Sequence, residues 1–167
     1  SALPVKTLRE LIALAKKRPG ELTFGSNGNG TNNDWSTPAN WSSGTIPSNT
    51  GNQTVTFSGS VRLAPVTDTS WSILGLTFSS GAGAFTLSGS ALTLGASGIS
   101  QNATNIQTIS NNVALTGNQT WTANTGNLAV GGLVNLNAAT LTLNPATART
   151  VTLSNVVSGN GSVTKSG

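Results

Sequence analysis

The sequence contains no cysteine, histidine, methionine or tyrosine. Without cysteine and histidine the chain has no thiolate nucleophile, no imidazole base and no ligands for a zinc or iron–sulfur site. No disulfide can form either, so backbone hydrogen bonds and a buried core must stabilise the fold. The only side-chain carboxylates are Glu10, Glu21, Asp34 and Asp68, which leaves little for acid–base catalysis. We therefore expect a protein that is not an enzyme and has no catalytic residue, metal site or cofactor.

Charge is also scarce, since charged residues make up 7% of the chain and the formal net charge is +4. Most basic side chains lie before residue 22: Lys6, Arg9, Lys16, Lys17 and Arg18. Nucleic-acid binding typically needs a basic surface with interleaved aromatic rings, and the sequence shows no such pattern. No apolar run approaches the roughly 18 residues of a membrane span. We predict neither a nucleic-acid partner nor a membrane span.

Two of the carboxylates, Asp34 and Asp68, allow two interpretations. A glycosidase would need a pair of carboxylates about 5–10 Å apart, a distance that a sequence does not show. The neighbouring Asn and Thr residues instead favour turn positions for both.

Small and polar residues are abundant, because about half of the chain is Gly, Ser, Thr or Asn. This composition alone would permit disorder. However, 36% of the residues are hydrophobic, and many fall in short runs typical of β-strands. A length of 167 residues is sufficient for one domain with a core. We therefore expect a folded chain.

The first part of the chain has the pattern of an amphipathic helix over residues 5–18. Thr7 and Glu10 match the capping box S/T-x-x-E, and Pro19-Gly20 ends the helix. Apolar side chains recur at helical spacing: Leu8, Leu11, Ile12 and Ala15. A short strand at 21–24 and a Gly-rich loop at 25–31 follow, after which the composition changes. We predict two segments, 1–31 and 32–167.

From Asn32 onward the apolar residues alternate with polar ones, which is the period of a β-strand. A triplet of apolar residue, Thr and apolar residue recurs at 55–57, 76–78, 85–87, 92–94, 141–143 and 151–153. The predicted strands have three or four residues each and are separated by Gly, Asn and Ser turns. Such short strands favour an all-β parallel solenoid with about 20–25 residues per coil and roughly five coils. A β-sandwich, with strands of about five or six residues, is the alternative.

Several stretches in this second segment carry a resemblance to a known family. They are 33–44 (NDWSTPANWSSG) with Ile46-Pro47, 73–78 (ILGLTF), 88–100 (SGSALTLGASGIS) and 157–167 (VSGNGSVTKSG). In this order they resemble the autotransporter-associated β-strand repeat region of bacterial surface and secreted proteins. The resemblance implies a right-handed solenoid of passenger type, extracellular or on the cell surface, built for reach and adhesion. The family pattern continues past the last stretch, so we expect an uncovered last coil that self-associates by end-to-end or edge stacking.

Residues 4–31 (PVKTLRELIALAKKRPGELTFGSNGNGT) resemble a fragment of the periplasmic binding proteins of tripartite tricarboxylate transport systems. The resemblance implies that the loop contributes to holding a substrate carboxylate. Its candidate ligand-binding residues are Ser26, Asn27, Gly28, Asn29, Gly30 and Thr31. The junction with Asn32 indicates a recombined or engineered chimera as a hypothesis. In this context we predict that the N-terminal helix caps the first coil of the solenoid.

The tryptophans and threonines of the second segment are candidate contacts for surface glycans. Trp35, Trp41 and Trp121 could stack on sugars, although large rings more often pack in a core. Pairs of Thr two residues apart, such as Thr120/Thr122 and Thr140/Thr142, could form outward rows. We expect a non-enzymatic structural or adhesive solenoid, a stalk or filament-forming element. A carbohydrate- or surface-binding module is the alternative, and residual carboxylate binding by the loop at 25–31 is another.

Overall fold

The computed structural model describes residues 21–25, residue 30 and residues 32–166. The helix predicted over 5–18 lies outside the described residues. Strand accounts for 46% of the structure and helix for 2%, which confirms the all-β class. The helix among the described residues is a single 3-10 turn at Pro38–Asn40.

The described residues contain fifteen strands, most of them short. In chain order they are β1 (Glu21–Gly25), β2 (Thr54–Ser58), β3 (Val66–Thr67), β4 (Trp71–Phe78), β5 (Thr86–Gly89), β6 (Leu92–Gln101), β7 (Gln107–Ile109), β8 (Val113–Leu115), β9 (Gln119–Ala123), β10 (Leu128–Val130), β11 (Val134–Asn135), β12 (Thr140–Pro145), β13 (Val151–Leu153), β14 (Val157–Ser158) and β15 (Ser162–Lys165). Only β4 and β6, with 8 and 10 residues, are much longer than the sequence pattern predicts.

The strands form a solenoid with three faces. Face 1 contains residues 71–73 and 92–94 with β8, β11 and β14. Face 2 contains β1, β2, residues 75–78 and 98–101, β9, β12 and β15. Face 3 contains β3, β5, β7, β10 and β13. The chain runs from face 1 to face 2 to face 3 and then begins the next coil.

Every strand pair in the described part of the chain is parallel, and the register shows how regularly the coils repeat. On face 1 Leu92 pairs with Val113, and Val113 pairs with Val134, so two successive coils have the same length. On face 3 the step from Leu128 to Val151 is slightly longer. The structure makes about five turns, which confirms the predicted β-solenoid. The sandwich alternative is wrong, because a sandwich is built from antiparallel sheets.

The apolar positions of the predicted triplets face inward and form one continuous core. Val55 and Phe57 are fully buried on face 2, and Leu92 and Leu94 are fully buried on face 1. The Thr between the two apolar residues is more exposed than its neighbours in most of the other triplets, which is the side-chain alternation of a strand, whereas Thr56 is buried. Stacked coils therefore bury each apolar row against the same row of the next coil.

The strand before the compositional boundary at residue 31 belongs to the solenoid sheet. β1 pairs with β2 along its full length, from Glu21 with Thr54 to Gly25 with Ser58. This first step along the chain is longer than the steps between the other coils, because a loop containing the 3-10 turn is inserted after Trp35. The two segments of different composition therefore share one hydrogen-bonded sheet.

Gly98 shows why glycine is required at one corner. Its φ of +59° lies in the left-handed region, and a Cβ there would collide with the backbone oxygen of Thr120 in the next coil. Glycine therefore allows β6 to turn from face 1 to face 2 while the coils stay in hydrogen-bonding contact.

Candidate functional site

The loop that carries most of the candidate carboxylate-binding residues lies outside the described residues. This applies to Ser26, Asn27, Gly28, Asn29 and Thr31. Gly30 is described and is buried, and a Cβ at this position would overlap the side chain of Asn40. The backbone of Gly30 is therefore packed against the solenoid loop that follows it.

All four tryptophan rings are buried, which leaves no indole face for a sugar. Trp35 and Trp121 are fully buried, Trp41 is 3% exposed and Trp71 is 4% exposed. The Trp35 ring meets the Trp41 ring edge-on at a centroid distance of 5.6 Å, and the Trp71 ring at 5.7 Å. The indole N–H of Trp121 donates to Gln119 Oε1 at 2.8 Å inside the core. The burial therefore supports core packing of these rings. It leaves Trp35, Trp41 and Trp121 without the exposed ring face that stacking on a sugar needs.

The opening motif forms a small polar clasp, defined here as Asn32, Asp34 and Asn40. The buried Nδ2 of Asn40 donates to Asn32 Oδ1 at 3.0 Å and to the backbone oxygen of Asp34 at 2.8 Å. The Nδ2 of Asn32 donates to Asp34 Oδ2 at 2.9 Å. Beside the clasp, Trp41 Nε1 donates to the backbone oxygen of Trp35 at 2.8 Å. These bonds hold both rings of the motif against the first coils, a role for Asn40 that the sequence pattern did not reveal.

Asp34 and Asp68 both occupy hydrogen-bonded backbone positions. Asp34 forms an isolated bridge with Val66, and Asp68 Oδ1 accepts the backbone N–H of Ser36 at 3.1 Å. Slight desolvation raises the pKa of Asp68, but the hydrogen bonds from Ser36 and from the backbone of Asp68 and Trp35 together lower it more, so the net shift is downward. In the described ranges no group of three or more Asp, Glu, His or Cys side chains could hold a metal ion.

The most regular exposed feature is the outer surface of β9, β12 and β15 on face 2, which we call the hydroxyl face. Its side chains are uncharged and stand in register across three coils: Thr120, Thr140, Thr142, Asn144, Ser162 and Thr164. The hydroxyls of Thr140 and Ser162 lie 3.0 Å apart, and those of Thr142 and Thr164 lie 3.1 Å apart. The surface can exchange hydrogen bonds with a neutral hydroxylated molecule.

A shallow groove adjoins the hydroxyl face at the corner between faces 1 and 2. Ala96 and Ser97 form one wall, and Asn118, Thr120 and Thr140 line the other side. Asn118 Oδ1 accepts the backbone N–H of Thr140 at 2.8 Å, so this amide is already used to join two coils. No lining side chain is titratable, so the groove offers no acid–base chemistry.

Comparison of the chain with protein-family models, curated proteins and solved structures found no match. Among the residues that the structure describes, no helix has the length and apolar character needed to cross a membrane.

Proposed function

We propose that the chain is a non-enzymatic structural element, a right-handed β-solenoid of passenger type that acts as a stalk in a secreted or surface-displayed bacterial protein. The single observation that carries the proposal is the continuous apolar core, which runs through about five coils beneath a neutral, hydroxyl-rich exterior. The candidate stacking rings are all used for packing. The described residues therefore best support a structural role, in which the rigid shape of the solenoid is the functional property.

The parallel ladder gives this element stiffness along its axis. Each coil is bonded to the next through all three faces, and each adds about 4.8 Å of height. About five coils therefore give a height of about 24 Å. Reach would come from further solenoid units in series, with this one as a rigid spacer among them.

The proposal includes a helical cap formed by residues 5–18, which lie outside the described part of the chain. The end of a solenoid exposes apolar core and unpaired strand edges. The apolar positions of the predicted helix match that need, because a cap must be amphipathic. Leu8, Leu11, Ile12 and Leu14 supply that apolar surface.

Surface labelling tests the proposed location of the chain. An antibody against the folded chain should label intact cells of the source organism as strongly as permeabilised cells. A cytoplasmic marker, labelled only after permeabilisation, serves as the control. Labelling of this chain that requires permeabilisation would overturn the proposed location.

A second candidate function is contact with neutral glycans, favoured by the three-coil register of the hydroxyl face. A glycan array would be probed with the wild-type chain and with a Thr120→Ala/Thr142→Ala variant. Loss of binding in this variant, with binding retained by Thr93→Ala on face 1, would support the second candidate. Absence of any wild-type binding would leave the structural role alone.

A further inference from the structure

The corner between faces 1 and 2 changes length in the middle of the solenoid. Between equivalent paired positions on the two faces, the corner comprises residues 94–98 in one coil, 115–120 in the next and 136–142 in the third. Each of these corners is therefore one residue longer than the corner before it. Corners of unequal length cannot stack directly on one another, although the strands on both sides stay in register.

Two adjacent recesses open at the middle corner, and together we call them the corner cleft. The first is the groove between Ser97 and Asn118, with a volume of about 430 Å³. The second lies between Gly117 and Asn137 of the next coil, with a volume of about 410 Å³. Asn118 lines both recesses, so they are continuous at this residue. Each volume falls within the range of small-molecule sites, about 300–1,000 Å³.

The corner cleft offers neutral hydrogen-bonding groups that the fold itself leaves unused. Asn118 Oδ1 accepts the N–H of Thr140 at 2.8 Å, and Asn137 Nδ2 donates to the backbone oxygen of Leu115 at 2.6 Å. Within the described part of the chain, nothing bonds to the other amide atom of either Asn or to the hydroxyl of Ser97. Because one atom of each amide is fixed to a neighbouring coil, the free atom is held in position before a ligand arrives.

Gly117 keeps the recess open. A Cβ at this position would meet no atom within 4 Å, so the space that another residue would fill is empty of protein. Its φ lies outside the left-handed region, and the backbone therefore does not require glycine here, in contrast to Gly98. The consequence of glycine at this corner is access to the backbone and to the amide of Asn118.

We propose that the corner cleft binds a short neutral oligosaccharide. This inference rests on the second candidate function and gives it a concave site, with Thr120 shared between the cleft and the hydroxyl face. No lining side chain is charged, so the cleft has no group that selects an ion. Its amides and hydroxyls donate and accept hydrogen bonds, as sugar hydroxyls do. The cleft is shallow and no ring lines it, so binding is weak and depends on hydrogen bonds.

An array of neutral oligosaccharides, with sialylated oligosaccharides as the charged comparison, tests the ligand class with the full chain. We expect binding to neutral members and none that requires the sialic acid. A neutral oligosaccharide bound on the array is then titrated into the isotope-labelled chain. The amide signals of Ser97, Gly117 and Asn118 should shift in a saturable way, whereas that of Thr108 on face 3 should not. Absence of binding to every neutral member overturns both this proposal and the second candidate, and leaves the structural role.

Gly117→Leu tests the place of binding, because the new side chain fills the cleft without displacing protein atoms. We expect binding to weaken by about tenfold, the equivalent of one or two hydrogen bonds. Gly81→Leu is the matched control, since a Cβ at Gly81 also meets no atom within 4 Å and this residue lies outside the cleft. The control should bind like the wild type, and both variants should keep the wild-type circular dichroism spectrum.

Ser97→Ala keeps the test valid if leucine disturbs the corner, because it removes only one exposed hydroxyl. It should weaken binding several-fold. Wild-type binding by both Gly117→Leu and Ser97→Ala overturns the corner cleft as the site. If Thr120→Ala/Thr142→Ala nevertheless abolishes binding, the ligand lies on the flat hydroxyl face, so the second candidate survives while this proposal fails.

Discussion

At the residue scale, amide side chains join the corners of the solenoid from within. Gln101 Nε2 donates to the backbone oxygens of Ala103 and Asn105 at 3.0 and 2.7 Å. Gln107 Oε1 accepts the N–H of Phe85 at 3.0 Å, in the preceding coil. Both glutamines are fully buried, and each adds hydrogen bonds to backbone groups at the corners of the solenoid. The many Asn and Gln residues thus have structural roles in the fold.

The Asp68 carboxylate should contribute stability that depends on acidity. Desolvation raises its pKa in the folded chain, but the hydrogen bonds from Ser36 and from the backbone of Asp68 and Trp35 together lower it more, so the contribution is present above the unfolded pKa of about 3.9. It is lost as the pH falls through the lower, folded pKa. An NMR titration of the Asp68 carboxyl carbon should therefore give a midpoint below that of an unfolded peptide.

Asp68→Asn provides the matching stability test. The variant should lose part of the fall in melting temperature between about pH 5 and pH 2, because Asn does not titrate. Near pH 7 it should melt slightly below wild type, since its neutral amide oxygen accepts the N–H of Ser36 more weakly than the carboxylate does. An identical pH profile for the two proteins would refute the contribution.

At the scale of elements, side chains that cross between coils hold the corners together. Asn111, between β7 and β8, is 1% exposed, and its Nδ2 donates to Thr67 Oγ1 and to the backbone oxygen of Ser90, each at 2.8 Å. Thr67 Oγ1 in turn donates to Ser90 at 2.6 Å. The network ties three consecutive coils at the corner between faces 3 and 1.

Asn111→Asp should destabilise the chain by about 2–4 kcal/mol at neutral pH, because it places a carboxylate oxygen against two acceptors in a buried site. Burial raises the pKa of such an Asp, so the loss should be smaller near pH 4, where the carboxyl is protonated. Denaturant unfolding at the two pH values measures both effects.

Asn112→Asp is the control, since Asn112 is exposed and its Oδ1 accepts the N–H of Leu133 at 3.0 Å, which a carboxylate can also do. We expect it to unfold like the wild type. Equal destabilisation by both substitutions would show that the corner network is not responsible.

At the scale of the whole molecule, the chain is one stack of coils that includes a strand from the segment of different composition. β1 continues face 2 beyond β2, so the region before residue 31 is attached through strand pairing. The clasp and its tryptophans lie on the same first coils and bury a cluster of rings, with Trp35 and Phe57 at a centroid distance of 5.9 Å. This end of the solenoid is therefore the aromatic end.

Since we propose that residues 5–18 cap the first coil, we expect the double variant Leu11→Asp/Ile12→Asp to aggregate or to melt at a lower temperature than the wild type. The substitutions place charge on the apolar face that would cover the first coil. Light scattering and thermal unfolding measure the two effects. Arg9→Asp/Ala13→Asp changes the same number of residues on the other side of the predicted helix and should be tolerated better. A melting temperature unchanged in the first variant would count against the cap.

The local pattern predicted much of the fold, because the period of two and the Gly and Asn turns act over a few residues. The triplets of apolar residue, Thr and apolar residue were correctly predicted to lie in strands. The predicted range of 20–25 residues per coil covers the length of the regular coils. The lengths of β4 and β6 were missed. Both strands continue around a corner, where the pairing register shifts between Ile73 and Gly75, and nothing in the local alternation marks such a bend.

By itself the sequence determined that this is an all-β chain without disulfides, with short apolar strands and little charge. Only the tertiary structure decided which side chains meet. The spacing along the chain puts Thr120 and Thr140 in equivalent T-x-T pairs, but the register places Thr120 beside Thr142. The tryptophans, ambiguous in sequence, became core residues. Both outcomes depend on the stacking of one coil on the next, because packing between residues a full coil apart, and not local preference, sets register and burial.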